Sequence, residues 1–285
     1  MAKPNIVVVT GASRGLGRGI ALALGTAGNV VYVTGRTGAK QTSRWSGTLQ
    51  ETAGAISRSG GTGIAVVCDH ADDSQTQALF ERITAEYGRL DILVNNAFGM
   101  SDEMAAPGVF WERPLDAWGK LIDVGLRSSF VASYYAIPLM IHARRGLIVN
   151  TSSPGARAYL HVVPYGVGKV GHDKLAYDMA WELRPFNVAA LSLWHGIVKT
   201  ERTLIFCEES PGLLKEFGGA ESAETPEFAG HLIDAIYRSP DLMSLSGGTF
   251  YASELARRYG VHDIEGREPP SHRGLLGAPI YDPLT

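Results

Sequence analysis

Residues 6–24 read IVVVTGASRGLGRGIALAL and determine how the rest of the chain is interpreted. The continuous apolar run at 6–10 predicts a strand buried on both faces of a parallel sheet, and the apolar stretch at 20–24 predicts a helix. Gly11 would allow a tight turn between them, while Gly15 and Gly17 would let the backbone approach a pyrophosphate at the helix N-terminus. This order of strand, glycine turn and helix predicts a dinucleotide site, although glycines also form ordinary loops.

The remaining chain repeats the alternation of apolar strands and longer helical segments. It predicts an α/β fold: a single Rossmann-like, doubly wound parallel sheet of about seven strands with helices on both faces, in one domain over residues 1–285. The segment after residue 251 is rich in Pro, Gly and His and is expected to be irregular. The further strands are expected at 30–34, 64–68, 92–94, 147–151, 188–193 and 249–251. The further helices are expected at 49–59, 74–87, 115–141 (bent at Gly125 or Pro138), 165–184 and 226–238.

Composition excludes several functional classes. The 285 residues are 45% hydrophobic and 19% charged, with a net charge of −3 and no long basic run, so neither nucleic acid nor an anionic membrane is an expected partner. The two cysteines, Cys68 and Cys207, form no disulfide framework, and the N-terminus lacks a signal-peptide layout, so we expect a cytoplasmic protein. The apolar region 130–141 is too short for a membrane span. The histidines show no metal-ligand spacing, so no metal site is expected.

The end of the second strand indicates which dinucleotide binds. An NAD site places a carboxylate there to accept a hydrogen bond from the ribose 2′-hydroxyl, whereas this chain has Gly35-Arg36-Thr37. Arg14 lies inside the glycine turn, so two guanidinium groups could flank a 2′-phosphate. The sequence therefore favours NADP(H) over NAD(H); two solvated surface arginines are the alternative reading.

Other strand ends supply further candidate cofactor contacts. Asp69 follows the third strand, where its carboxylate could accept from an adenine amino group. Asn95 ends the fourth strand and could fix the strand that lies beneath the cofactor, although paired asparagines are also common in turns. The candidate contacts near the glycine turn are Gly11, Ser13, Arg14, Gly15, Leu16, Gly17 and Arg36.

The sequence Tyr165-Gly-Val-Gly-Lys169 carries the candidate chemistry. Residues four apart share one helix face, and the lysine is expected to favour the phenolate, so that the tyrosine exchanges a proton nearer neutral pH. Ser152 and Ser153 end the fifth strand nearby, although serines at strand ends are more often simple caps. These residues predict proton transfer to or from a substrate oxygen.

Taken together, TGASRGLG (10–17), Asp69, NNAF (95–98), the serine pair and YGVGK (165–169) resemble the short-chain dehydrogenase/reductase family over at least residues 5–200. The resemblance implies an NAD(P)-dependent enzyme that interconverts a carbonyl and an alcohol, with Ser153, Tyr165 and Lys169 as catalytic residues; Ser152 is the second choice. It also implies that Tyr165, Lys169, Ile197 and Thr200 contact the cofactor. A homodimer or homotetramer is expected, since the family often pairs the helix at 165 with a partner's copy. Further stretches, among them DIEGR (263–267), are similar to one subgroup of the family.

The chain departs from the family pattern at three positions. Phe98 stands where glycine is usual, Gly125 stands where most members have an asparagine that holds a proton-relay water, and His195 stands where proline is usual. The departures at Gly125 and His195 leave open an alternative, a non-catalytic dinucleotide-binding or sensor protein of the same fold. Two segments, 98–118 and 201–224, are expected to cover a bulky apolar substrate. Their apolar residues are Phe98, Met100, Phe110, Trp111, Leu204, Ile205, Phe206 and Leu213.

Overall fold

The computed structural model describes residues 3–40, 45–99, 108–209, 212 and 214–282. Seven strands form one parallel sheet: β1 Ile6–Val9, β2 Val30–Gly35, β3 Thr62–Val67, β4 Ile92–Asn95, β5 Gly146–Ser152, β6 Val188–Trp194 and β7 Thr249–Tyr251. Their order in the sheet is β3-β2-β1-β4-β5-β6-β7. The predicted Rossmann-like, doubly wound parallel sheet of about seven strands is therefore confirmed.

Helices cover both faces of this sheet. They are α1 Gly15–Thr26, α2 Leu49–Arg58, α3 Asp73–Tyr87, α4 Asp116–Leu121, α5 Ser128–Ala143, α6 Val163–Leu183, α7 Glu201–Glu209, α8 Phe228–Arg238, α9 Ala252–Tyr259 and α10 Arg273–Leu276. A π-helical segment, Ile122–Arg127, joins α4 to α5. The expected interruption of the long helix thus lies at Gly125, while α5 runs through Pro138.

The strand β1 shows why the sheet is doubly wound. Its side chains alternate between two apolar layers: Val7 and Val9 pack with α1, α2 and α8, whereas Ile6 and Val8 pack with α3, α5 and α6. A strand that must be apolar on both faces reads as the continuous run seen at the start of the chain. The chain crosses from one side of β1 to the other between β3 and β4, so the carboxyl ends of β1 and β4 open a crevice.

Two expectations about regular structure need correction. Residues 252–282 are not irregular, because they contain α9 and α10, and the backbone N–H of Thr249 donates to the carbonyl of Tyr281 (2.6 Å). The strand β3 ends at Val67, so Cys68 lies just beyond it.

Within the described chain, the helical stretch Asp116–Ala143 is long and apolar enough by composition to cross a membrane. Half of its apolar window is buried inside the protein.

Candidate active site

The glycine turn has the predicted geometry. Gly11 has a φ of +66°, and a Cβ added there would lie 2.9 Å from the Cα of Ala97. A Cβ on Gly17 would lie 2.3 Å from Nδ2 of Asn96, so this position also accepts only glycine. The turn and the end of β4 are therefore in direct backbone contact, which only residues without side chains permit.

The N-terminus of α1 offers donors to an anion. Arg14 occupies the N-cap position without a side-chain cap, and the first turn contains no acidic residue. Such a terminus leaves backbone N–H groups for a phosphate. One of them is already used, because the N–H of Gly15 donates to Oε2 of Glu201 (3.1 Å). Leu16, the next residue, is partly exposed and lies at the start of the helix.

The charges of the two predicted phosphate-binding arginines interact. Arg36 is exposed at the end of β2, and its charge lowers the pKa of Arg14, although burial is the larger cause and the charge of Glu201 acts in the opposite direction. Arg14 also shapes the surrounding loop by donating to the carbonyl of Trp45 (2.8 Å) and to Oγ1 of Thr37 (3.0 Å). Ser13, nearly buried, accepts from Nε of Arg14 (3.4 Å).

The paired asparagines at the end of β4 have different hydrogen-bond partners. Asn95, predicted as a cofactor contact, is fully buried, and its Nδ2 donates to Oγ of Ser133 (3.0 Å) and Oδ1 of Asn150 (2.9 Å), so it fixes β4 to α5 and β5. Asn96 reaches the glycine turn instead, where its Nδ2 donates to the carbonyl of Thr10 (2.8 Å). Asn95 thus fixes β4 as expected, through contacts inside the sheet, while Asn96 braces the glycine turn; a contact of Asn95 with the cofactor stays a prediction.

Asp69 lies two residues beyond β3 and is partly exposed. Its Oδ1 accepts from the backbone N–H of Ala71 (3.1 Å), which fixes the carboxylate at the same edge of the sheet as the glycine turn. This is the position predicted for an adenine contact.

The structure brings Ser153 and Tyr165 together. Ser153 follows β5, Tyr165 lies in the first turn of α6, and their hydroxyl oxygens are 2.7 Å apart. Ser153 also accepts from the N–H of Gly155 (3.1 Å), as a simple cap would. Ser152, the second choice, points away and donates to the backbone carbonyl of Lys169 (3.1 Å). The geometry therefore favours Ser153 as the serine that acts with Tyr165.

Lys169 lies one turn further along α6 and is buried. Its Nζ donates to the carbonyl of Thr151 (3.0 Å) and lies 5.5 Å from the ring centroid of Tyr165. Burial lowers the pKa of Lys169 to about 8, and the nearby carboxylate of Asp173 acts in the opposite direction. Asp173 in turn accepts from Oγ of Ser192 (2.6 Å), and burial raises its pKa to about 6.

The pKa of Tyr165 moves against the expectation. Burial raises it, and the hydrogen bond with Ser153 opposes the rise. Lys169 is not among the causes of this shift, so the expected lowering of the pKa of Tyr165 by the lysine is not seen; the ammonium donates to the carbonyl of Thr151 and lies beside the ring. Tyr165 therefore keeps its proton at physiological pH, which is the state a general acid requires.

The loop after β6 carries the remaining predicted cofactor contacts. Thr200 caps α7 by accepting from the N–H of Thr203 (3.2 Å), and its methyl group lies beside Gly15 of the glycine turn. The carbonyl of Ile197 accepts from the N–H of Glu224 (2.8 Å), and the N–H of Lys199 donates to the carbonyl of Glu224 (2.9 Å). The loop and the glycine turn thus face each other across the crevice.

His195 and Glu224 form a buried pair that sequence reasoning missed. Nδ1 of His195 lies 3.5 Å from Oε1 of Glu224, and within the described residues neither side chain has a hydrogen-bond partner. The DIEGR motif anchors the same segment, because Asp263 accepts from the N–H of Thr225 (3.0 Å) and pairs with Arg267 (2.7 Å). We call residues 221–225 the clamp segment. No sequence signal linked it to the loop, since the contacts join residues far apart in the chain.

The predicted substrate loops are described only in part. Met100 and Leu213 lie outside the described residues. Phe110 and Trp111 pack edge to face (5.2 Å between centroids) and are exposed, as are Leu204 and Ile205 on α7. Among the described residues, no group of three or more side chains has an arrangement that could hold a metal ion.

The family model described as short chain dehydrogenase matches residues 5–205. The chain belongs to the short-chain dehydrogenase family. It is therefore an oxidoreductase that acts on CH–OH and C=O groups, and the family implies an NAD(P)-type nucleotide cofactor.

Relatives and solved structures agree with this assignment. The chain is 45% identical to dehydrogenase/reductase SDR family member 1 of Homo sapiens, over 96% of this chain and 89% of that protein. It is 43% identical to the Mus musculus protein of the same name, over 93% and 85%. A mutant form of a Serratia marcescens short-chain dehydrogenase/reductase superposes with a TM-score of 0.72 at 25% identity, covering 87% of this chain and 95% of that one. The resemblance to one subgroup of the family is confirmed.

Proposed function

We propose that the protein uses NADPH to reduce a ketone or aldehyde on a bulky apolar small molecule, and runs the reverse oxidation when NADP is in excess. The observation that carries this proposal is the 2.7 Å contact between the hydroxyls of Ser153 and Tyr165 at the carboxyl edge of the sheet. Two hydroxyls this close can both donate to one substrate oxygen. A protein that only bound or sensed dinucleotides would have no use for this pair together with Lys169.

The described residues fit a phosphorylated dinucleotide. Gly11 and Gly17 have no room for a Cβ, and the uncapped start of α1 offers N–H donors to a pyrophosphate. Arg14 and Arg36 lie close enough for their charges to interact, which favours a 2′-phosphate and hence NADP(H) over NAD(H). When bound, the cofactor supplies the hydride.

The chain's own residues manage the proton. Tyr165 donates its hydroxyl proton to the carbonyl oxygen while the carbonyl carbon receives the hydride, so that C=O becomes CH–OH and Tyr165 becomes a phenolate. Ser153 donates a hydrogen bond to the same oxygen and orients it. The ammonium of Lys169, close to the ring of Tyr165, stabilises the phenolate and would also hold the ribose hydroxyls of the nicotinamide half.

Exposed apolar side chains in two parts of the surface support two proposals, one on the substrate and one on the oligomeric state. Phe110, Trp111 and Leu204 are exposed apolar groups in the two loop regions, which favours a bulky apolar carbonyl compound. The helices α5 and α6 also carry exposed large apolar residues, among them Tyr134 and Trp181, so we propose a homodimer or homotetramer through these helices. Light scattering of a Trp181→Glu variant tests this, with a smaller assembly expected. The cytoplasm remains the proposed location.

The test is oxidation of NADPH and NADH by the purified chain against a panel of ketones, aldehydes and quinones. We expect turnover with at least one apolar carbonyl and a preference for NADPH. Binding of both dinucleotides without oxidation against any member would contradict carbonyl reduction. Preference for NADH would contradict the assignment of Arg14 and Arg36.

A further inference from the structure

Phe98, expected from sequence to help cover the substrate, lies beside Lys169 and Tyr165. It follows β4 and the glycine-bracing Asn96, and its ring is partly buried. The ring centroid lies 4.9 Å from Nζ of Lys169. It also packs edge to face on Tyr165, with 6.0 Å between centroids and an interplanar angle of 86°. One aromatic ring therefore contacts both groups that would handle the proton.

The position opposite this ring is Gly125. A Cβ added to Gly125 would lie 3.3 Å from Cδ2 of Phe98, closer than most real side-chain contacts. An alanine would press on the ring, and a longer side chain would have to displace it. Phe98 and any side chain at position 125 thus compete for the same volume.

The backbone around Gly125 is held in place independently of the ring. Gly125 lies in the π-helical segment Ile122–Arg127, and its carbonyl accepts from Oγ of Ser129 (3.2 Å). A π-helical turn displaces the backbone relative to an α-helix and is frequent at functional sites. The backbone of Gly125 also forms a hydrogen bond with the side chain of His172 on α6, so a movement of this segment away from the ring would break a contact with α6.

The ring acts on the ammonium in two ways. The face of an aromatic ring attracts a cation, more strongly when both are removed from water. The ring also helps to bury Lys169, whose pKa burial lowers to about 8. Among the described residues Nζ also donates to the carbonyl of Thr151, and the ring of Phe98 is closer to Nζ than the ring of Tyr165 is, so Phe98 helps to set where the ammonium lies relative to Tyr165.

We propose that Phe98 is a positioning residue that fixes the Lys169 ammonium and the Tyr165 side chain relative to each other. Glycine at position 125 provides the space that the ring of Phe98 needs. The inference rests on the proposed function, because its first readout is turnover. Phe98 touches neither the hydride nor the proton; it acts through the two side chains that it contacts.

The first test is Phe98→Leu, which keeps most of the volume and removes the aromatic face. We expect turnover to fall by about tenfold, on the scale of a desolvated cation–π contact. The ring stabilises the charged form of Lys169, so its loss should lower the pKa of Lys169 further. The fall in reductase activity toward alkaline pH should then begin about 0.5–1 pH unit lower. Phe186 is an exposed phenylalanine on the turn after α6, so Phe186→Leu is the matched control. It should leave the turnover and the pH dependence unchanged.

Other titratable groups face Lys169 and could also shift the pH at which the reductase activity falls. They are Tyr165 and Asp173 on α6, His172 on the same helix, and His161, whose ring contacts Tyr165 (4.8 Å). Burial lowers the pKa of His172 to about 3, so it stays neutral across the range of the assay. All four groups are retained in Phe98→Leu, so a shift in the pH at which activity falls can be attributed to the loss of the aromatic ring.

The second test is a swap of volumes that also reads out stability. Gly125→Asn alone should lower both turnover and the melting temperature, because the new side chain collides with the ring. The double variant Phe98→Gly/Gly125→Asn should recover stability and some turnover relative to Gly125→Asn. Should the larger change prevent folding, Gly125→Ala tests the same collision with a smaller loss expected.

The outcomes separate this inference from the function on which it rests. A wild-type chain that oxidises neither NADPH nor NADH with any carbonyl refutes the proposed function. If the wild type is active and Phe98→Leu changes neither its turnover nor the pH at which its activity falls, the positioning role is refuted. A Gly125→Asn variant as stable and active as the wild type refutes the competition for space.

Discussion

Replacing Tyr165 by phenylalanine removes a single hydroxyl and leaves the ring contacts in place. The phenyl ring would still pack against Phe98 and against His161, whose centroid lies 4.8 Å away. What is lost is the 2.7 Å hydrogen bond with Ser153 and, with it, the proton that Tyr165 would donate. The substitution thus isolates the chemistry from the packing.

Catalysis and stability should respond on different scales. General acid catalysis contributes about 10²–10⁴ in rate, so turnover should fall by at least about 10²-fold, which corresponds to about 2.7 kcal/mol in the barrier. The lost hydrogen bond contributes only about 1 kcal/mol to stability. In a chain of this size that lowers the melting temperature by roughly 2–4 °C.

The assay is NADPH oxidation with the best carbonyl found, beside cofactor affinity from NADPH fluorescence. Affinity for NADPH should stay within about tenfold, because the hydroxyl acts on the substrate oxygen and could make at most one hydrogen bond to the cofactor, which contributes about 0.5–1.5 kcal/mol. Tyr159→Phe is the matched control, since Tyr159 is exposed in the loop before α6. Turnover of Tyr165→Phe within a few-fold of the wild type would refute the assignment of Tyr165 as the proton donor.

Three further predictions concern the cofactor side. Arg36→Ala should raise the Michaelis constant for NADPH by about 10–100-fold and leave that for NADH unchanged, since charge-assisted bonds contribute about 1.5–3 kcal/mol; equal effects on both would contradict a 2′-phosphate contact. Asn96→Ala removes the donor to the carbonyl of Thr10 (2.8 Å), so calorimetry should show a loss of about 1–3 kcal/mol and NADPH should bind more weakly; unchanged stability would argue against the brace. Glu224→Gln should raise the melting temperature, because a buried amide costs less than a carboxylate without donors, while exposed Glu221→Gln should not; a lower value would show that the charge stabilises the fold.

The strands were predictable because a parallel sheet requires local apolar runs. The glycine turn was also predictable, because the glycines that allow a tight turn lie close together in the sequence. Ser153, Tyr165 and Lys169 were chosen from the resemblance to the family, and the structure brings the hydroxyls of Ser153 and Tyr165 within hydrogen-bond distance because β5 ends close to the start of α6. Local patterns thus predicted the fold, and the resemblance supplied the candidate catalytic residues.

What sequence could not assign depends on contacts between distant segments. Asn95 and Asn96 are adjacent, and only the pleat of β4 decides that one points into the sheet and the other toward the glycine turn. Phe98 and Gly125 were visible as two separate departures from the family pattern, but their relation is a matter of shared volume. The pKa of Tyr165 depends on burial, which a spacing of four residues does not report.

The clamp segment has a consequence for how the protein is made. A nascent chain that has left the ribosome as far as residue 205 already contains Ser153, Tyr165 and Lys169, and the family model ends there. The loop at 197–199 is nevertheless held by residue 224, and that segment is held by Asp263 and Arg267. The glycine turn can therefore form early in synthesis, while the loop at 197–199 gains its supporting contacts only after residue 267 has emerged. If the proposed cofactor contacts of Ile197 and Thr200 hold, full affinity for the cofactor requires the C-terminal part to have folded.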